Sequence, residues 1–143
     1  MNHTIASQAE LQIWAGNFID QLVLGKQASI VTLRGDLGSG KTTLVQCIAK
    51  VLGIDEPVTS PTFVIQKEYT VDEHPWINRL VHIDAYRLEG KDQLEYLGWC
   101  ELVDDPHTLV CIEWPEMVEG IALPGALLLT LRINTDQTRT LQC

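Results

Sequence analysis

The sequence predicts an α/β protein: a mixed, mostly parallel sheet flanked by helices, in a single domain spanning residues 1–143. Three observations lead there. Short apolar runs at 30–33, 79–84 and 109–113 have the length and composition of buried strands. A helical pattern separates the first run from the next strand, whereas 63–71 and 79–84 succeed each other with no helix between, as an antiparallel pair can. A chain of 143 residues is the size of one domain and buries about two-thirds of its unfolded surface. Helices then cover the sheet faces, with right-handed crossovers.

In order, the chain opens on a capping box, with Ser7 as the helix cap and Glu10 at the third helical position. Leu11, Trp14, Ala15, Phe18, Leu22 and Val23 recur at helical spacing, and Gly25 is expected to end this helix, which covers the sheet. Residues 30–33 form a strand, 35–42 a glycine-rich loop, and Leu44, Val45, Ile48, Ala49 and Leu52 the apolar face of a second helix. Pro57 and Pro61 exclude a helix interior in the next connection. That connection, which holds Thr62, reads either as a plain turn or as a segment sensing a terminal phosphate or its metal. The strands at 63–71 and 79–84 come next, then a short helix within 90–98 with Leu94 and Leu97 inward, then the strand at 109–113. Strands at 127–133 and 138–143, joined by a hairpin turn at 134–137, close the chain.

The loop carries the chemistry. Gly35-Asp36-Leu37-Gly38-Ser39-Gly40-Lys41-Thr42 reads G-x-x-x-x-G-K-T, and a strand before it and a helix after it supply the context this phosphate-binding motif needs. Its glycines allow a tight turn that aims successive N–H groups at one anion, and the helix N-terminus adds its positive dipole end. Lys41 offers a cation to the outer phosphates and Thr42 a hydroxyl to magnesium. The chain thus reads as a P-loop NTPase.

Two acids end apolar strands. Asp84 and Glu113 sit where buried strands of a parallel sheet point residues into the ligand crevice. Both read as functional, Asp84 with the alternative of capping the next turn. His82, two residues before Asp84, shares its strand face and reads as a packed, hydrogen-bonded histidine. Trp114 either packs near the nucleotide or covers the core. Arg139 either reaches a nucleotide or partner or is a solvated charge.

Composition narrows the partners. Apolar residues at 45% and charged residues at 20% match a soluble globular protein. No apolar run approaches a membrane span and the N-terminus shows no secretory pattern, so a cytoplasmic protein is expected, with no membrane association. Acidic residues number 19 against 10 basic, giving a net charge of −9, and the cations are scattered. Nucleic-acid binding needs clustered Lys and Arg, so direct tight RNA binding by this chain is not expected, and a basic protein surface is the better complement. Cys47, Cys100, Cys111 and Cys143 form no C-x-x-C pair; Cys47 and Cys111 fall in apolar segments and are expected to be buried.

Four stations together resemble one family: the loop extended to Thr43; Thr59-Ser60-Pro61-Thr62-Phe63; His82-Ile83-Asp84-Ala85-Tyr86-Arg87-Leu88; and Ile112-Glu113-Trp114-Pro115. The chain resembles the TsaE (YjeE) family, bacterial ATPases of tRNA threonylcarbamoyladenosine biosynthesis, over nearly its whole length. The resemblance implies slow ATP hydrolysis with Mg2+, in company with TsaB and TsaD, in support of the modification of the adenosine beside the tRNA anticodon. It implies that Gly38, Ser39, Gly40, Lys41, Thr42 and Thr43 bind phosphates. Thr42 and Glu113 match metal positions, Asp84 the acid of the second motif, Thr62 a switch-like segment and Arg139 an arginine near the nucleotide. A threonine common near the start of the N-terminal helix in the family is absent, Glu10 or Gln12 standing there.

The expected mechanism is in-line attack of water on the terminal phosphoryl group. Lys41, the loop amides and magnesium would stabilise the developing charge, with Asp84 or Glu113 positioning the water. The sequence shows no convincing arginine finger, so a slow basal rate that rises in the complex is expected. Two other functions use the same motifs: a small P-loop metabolite kinase, whose usual arginine-bearing lid is missing because 90–105 holds only Lys91 as a cation, and a nucleotide-gated scaffold that assembles partners on ATP binding.

Overall fold

The computed structural model describes residues 1–59 and 65–143; the switch-like positions Pro61 and Thr62 lie outside the described residues. The strands are β1 (Asn2–Ile5), β2 (Ser29–Arg34), β3 (Gln66–Thr70), β4 (Arg79–Asp84), β5 (Thr108–Glu113), β6 (Leu127–Ile133) and β7 (Arg139–Gln142). The helices are α1 (Gln8–Gln21), α2 (Lys41–Val51), α3 (Lys91–Tyr96) and α4 (Trp99–Val103), with a 3-10 turn at Pro115–Val118. The strands form one sheet in the order β1-β7-β6-β2-β5-β4-β3. Its centre, β6-β2-β5-β4, is parallel; β3 at one edge and β7 and β1 at the other run antiparallel. The expected mixed sheet and the expected antiparallel pairing of the strand before Val71 with β4 are both present.

Alternate residues of the central strands feed two cores, as the two-residue period of a strand requires. On one face Val31, Leu33, Leu109 and Cys111 pack under α1 and α2, through Leu11, Ala15, Ile19, Leu44, Val45 and Ile48. On the other Ile30, Val81, Ile83, Val110 and Ile112 pack under α3 and α4, through Leu94, Trp99 and Leu102. Every residue of β5 is buried, which explains why it reads as an unbroken apolar run. Each fully buried Leu or Ile side chain contributes roughly 1.5–3 kcal/mol, so the two faces fix the register of the strands that carry the acids.

Local chemistry sets the element ends, and some differ from expectation. Ser7 caps α1, its Oγ accepting from the Glu10 N–H, while the Glu10 carboxylate accepts from the Ala6 N–H, one residue before the cap. α1 stops at Gln21 rather than running to Gly25: Leu22 turns extended while its N–H still bonds the Ile19 carbonyl. Val23, expected inward, is 81% exposed, because the chain has already left the helix to reach β2. Leu97, also expected inward, is 41% exposed, since α3 ends at Tyr96 and Leu97 is its C-cap. Gly98, at φ +86°, then redirects the chain into α4. The hairpin turn at 134–137 forms as expected, with Asp136 accepting from the Thr138 N–H and hydroxyl. Among the described residues no helix is long and apolar enough to cross a membrane.

Cys47 and Cys111 are buried, Cys100 and Cys143 exposed. Burial pushes the Cys111 thiol up to about 12 and raises that of Cys47 as well, so neither forms the reactive thiolate at neutral pH. A thiol reagent added to the native protein should therefore label Cys100 and Cys143 quickly, and Cys47 and Cys111 only after denaturant. Prompt labelling of Cys111 in the native protein would contradict this core.

Candidate functional site

The loop between β2 and α2 is shaped by three positive-φ glycines. Gly35 sits at φ +152°, and a Cβ there would lie 2.5 Å from both the Leu131 carbonyl and Ser39 Oγ, so no side chain fits. Gly38 and Gly40 adopt φ +79° and +106°. Gly40 is the N-cap of α2 and supplies no side chain to the N–H groups of its first turn. Those N–H groups have no partner inside the helix and can face an anion. Ser39 is buried, its Oγ without a hydrogen-bond partner among the described residues. The Lys41 ammonium donates to the loop's own carbonyls, Gly35 at 2.5 Å and Asp36 at 3.0 Å, and lies 4.3 Å from the centre of the Trp114 ring. Burial lowers its pKa, opposed by the nearby charges of Glu113 and Asp84. A partly desolvated ammonium beside a ring of backbone dipoles is suited to receive phosphate.

The parallel ladder sets the acids beside that loop. Asp84 pairs across from Glu113, and Glu113 from Leu33, at the carboxyl ends of β4, β5 and β2. Glu113 is 3% exposed. Its oxygens accept from the Thr42 hydroxyl at 3.0 and 3.1 Å, and Oε2 lies 2.5 Å from His82 Nε2. Asp84 is half-buried and accepts from the Tyr86 N–H at 3.0 Å, the turn-capping contact that was its alternative reading. Burial raises its pKa, the Tyr86 N–H holds it down, and the Glu113 charge adds to the rise. Thr42, Asp84 and Glu113 thus offer one hydroxyl and two carboxylates to a hard cation. Among the described residues no three His, Cys, Asp or Glu side chains gather as a metal cage.

Trp114 belongs to this cluster. It adopts φ 59°, a costly conformation for a bulky residue. Its ring meets Tyr86 at 5.0 Å as well as Lys41, so it lies against the loop lysine while also packing on the second core.

Gly38, Ser39, Gly40, Thr43 and Arg139 gather on the other flank of β2. With Ile5, Ser7 and Leu11 they line a cavity of about 270 Å³. Arg139 donates to the Gln137 carbonyl at 2.6 Å and reaches to 3.5 Å from the Gly38 carbonyl. Glu10 and Gln12 are engaged in the fold instead, Glu10 at the Ala6 N–H and Gln12 at the Cys47 carbonyl. A larger groove of about 1060 Å³ runs between α1 and the strands β1 and β6. It includes neither the loop nor the acids, so size alone does not mark the site.

The site residues found from sequence therefore fall into two clusters: Lys41, Thr42, Asp84, Glu113 and Trp114 together, and Thr43 with Arg139 across the loop. Sequence reasoning missed the contact of His82 with Glu113, although the shared strand face of His82 and Asp84 was its signal. It also missed β1, a four-residue edge strand that brings Ile5 to the cavity.

Comparison with known proteins bears on the family and the fold. A sequence model of the family described as "Threonylcarbamoyl adenosine biosynthesis protein TsaE" matches residues 5–141. A Nostoc protein named as a tRNA threonylcarbamoyladenosine biosynthesis protein TsaE is 45% identical over 91 residues, 62% of this chain and 53% of the relative. Its Synechocystis namesake is 41% identical over 106 residues, 72% of this chain and 62% of the relative. The chain thus spans little more than half the length of these two relatives. A Borreliella burgdorferi protein of the same name is 34% identical over 116 residues, 80% of this chain and 78% of its own. The crystal structure of Bacillus subtilis YdiB superposes with a TM-score of 0.71 at 25% identity, covering 99% of this chain and 82% of that one. With the family model matched across nearly all of its length and the fold shared, the chain belongs to the TsaE family.

Proposed function

We propose that this protein is a slow, magnesium-dependent ATPase that supports threonylcarbamoyl modification of tRNA. The named TsaE relatives support the pathway, and the loop supports the nucleotide. One observation carries the reading furthest: Lys41 and Thr42 occupy themselves with the Gly35 and Asp36 carbonyls and with Glu113, which are contacts that a phosphate and a cation would replace. Lys41 turns from the loop carbonyls to the outer phosphates, which the loop N–H groups and the α2 N-terminus also hold. The nucleoside end lies toward the cavity of Thr43 and Arg139. Thr42 and Glu113, with Asp84, would hold magnesium, which would supply neutralisation of charge developing on the phosphate oxygens.

Asp84 is the better placed of the two acids to hold the attacking water. Glu113 is buried with both oxygens engaged by Thr42 and His82, whereas Asp84 is only half-buried, and burial raises its pKa above the usual aspartate value. Arg139 bonds Gln137, Arg79 bonds Asp105 at the other end of β4, and Arg34 is paired with Glu116. That supports a low rate in the isolated protein and acceleration by partners. The acidic surface suits contact with proteins, TsaB and TsaD in the family, and leaves tRNA contact indirect.

Calorimetric titration should detect Mg-ATP binding by the parent, weakened at least ~10-fold by Lys41→Ala, the loss of a single charge-assisted contact. Hydrolysis should be slow alone and rise when TsaB and TsaD are added. Equal turnover with and without partners would contradict the proposal, and phosphate transfer to a metabolite would redirect it to a kinase. Asp84→Asn should lower the hydrolysis rate ~100-fold or more. Its effect on stability runs the other way. A carboxylate whose folded pKa is raised binds its proton more tightly in the folded state, so its ionised form costs stability above the usual aspartate range. Asp84→Asn should therefore melt no lower than the parent at pH 7, with the advantage fading as pH falls toward about 4 and gone below it. A lower melting temperature at pH 7 would contradict the burial assigned to Asp84.

A further inference from the structure

We infer that His82 is a positioning residue that holds the Glu113 carboxylate toward Thr42 while Thr42 turns to a metal; this role rests on the magnesium and ATP binding proposed for the site. His82 lies on β4 in the row of Cys111, one pleat below Glu113, and its ring leans along the strand to bring Nε2 to 2.5 Å from Glu113 Oε2. A carboxylate only accepts, so Nε2 carries the hydrogen. Both groups are enclosed: His82 is fully buried and Glu113 3% exposed.

The second ring nitrogen shows what the histidine is for. Nδ1 is buried and has no hydrogen-bond partner among the described residues. An unpaired polar atom in a core is unfavourable, and an apolar side chain of similar size among Leu80 and its neighbours would leave none. Packing alone therefore does not account for a histidine here; the bond to Glu113 does. Glu113 in turn has two side-chain anchors among the described residues, the Thr42 hydroxyl and His82. Once the hydroxyl is drawn to a cation, His82 is the anchor that remains. Without it the carboxylate is free to leave the orientation in which it faces the cation. Groups that hold a ligand carboxylate typically change metal affinity or activity by about 10–100-fold. Among the described residues His82 makes no hydrogen bond to the loop N–H groups or to Lys41, the groups that would meet the phosphates.

The test separates metal-dependent from metal-independent binding of a non-hydrolysable ATP analogue, by calorimetry, in His82→Leu and His82→Gln. His82→Leu removes the donor. His82→Gln restores an N–H at the same reach. Leucine should raise the magnesium concentration needed for half-maximal enhancement of binding by ~10-fold or more and leave affinity in EDTA within ~2-fold of the parent. Glutamine should return the magnesium dependence to within ~3-fold of the parent. An unchanged magnesium dependence in His82→Leu, or a parallel loss with and without magnesium, would overturn the inference. So would a failure of His82→Gln to recover despite a native cooperative melt. If the parent binds no nucleotide at all, the ATP reading fails instead. The anchoring is then read by nitrogen-edited NMR of the His82 ring: an Nε2–H resonance that shifts in Glu113→Ala is expected, and an Nδ1–H tautomer overturns it.

Discussion

The constraint on which the site depends is the register of three parallel strands. β2, β5 and β4 lie side by side, so that Leu33, Glu113 and Asp84 end in one row. The loop leaves β2 one residue beyond that row, and α2 returns over the same face that Cys111 occupies below Glu113. A shift of β4 by one residue would turn Asp84 and His82 to the opposite face and replace them with Ile83 and Ala85. That shift is opposed by the two apolar cores, since Leu80 belongs to one and Val81 and Ile83 to the other. The position of the acids is therefore a consequence of core packing rather than of contacts within the site.

Around that row most charged and hydroxyl groups pair with one another, while Ser39 Oγ and His82 Nδ1 have no hydrogen-bond partner among the described residues. Lys41 is turned onto carbonyls of its own loop, the Thr42 hydroxyl onto Glu113, and the Trp114 ring lies beside the ammonium between Lys41 and Tyr86. On the proposed function, each of these contacts would yield to a ligand that offers better ones: an anion for Lys41, a cation for Thr42 and Glu113. The unfavourable backbone of Trp114 at φ 59° places its ring where it touches the lysine, so a change at the loop is felt at the indole. Arg79 is engaged at the other end of β4, Arg139 at Gln137 and Arg34 at Glu116.

Much of this was legible in the sequence because the motif residues are close in sequence or end apolar runs. Gly35 to Thr42 needs no tertiary information beyond a strand before and a helix after. Asp84 and Glu113 were legible because each closes a run that can only be a buried strand. What the sequence hid was lateral. Nothing local says that β5 inserts between β2 and β4, so the pairing of Glu113 with both His82 and Thr42 could not be read. The cavity beside Thr43 depends on β1, four residues whose exposed, partly polar pattern carries little strand signal. The end of α1 escapes a periodicity argument because Leu22 and Val23 keep the helical period after the backbone has turned extended. In α3 and α4, Gly98 divides one apolar pattern into two short helices, which moves Leu97 to the surface.

The central claim is that a triphosphate displaces Lys41 from the loop carbonyls and from its place over Trp114. Trp114 fluorescence, measured as the difference between the parent and Trp114→Phe during titration with Mg-ATP, reports this directly, because the ammonium lies 4.3 Å from the ring centre. A saturable change in emission that is absent in Trp114→Phe and lost in Lys41→Ala is the expected result. Emission from Trp114 that stays constant while calorimetry shows the site filling would contradict it.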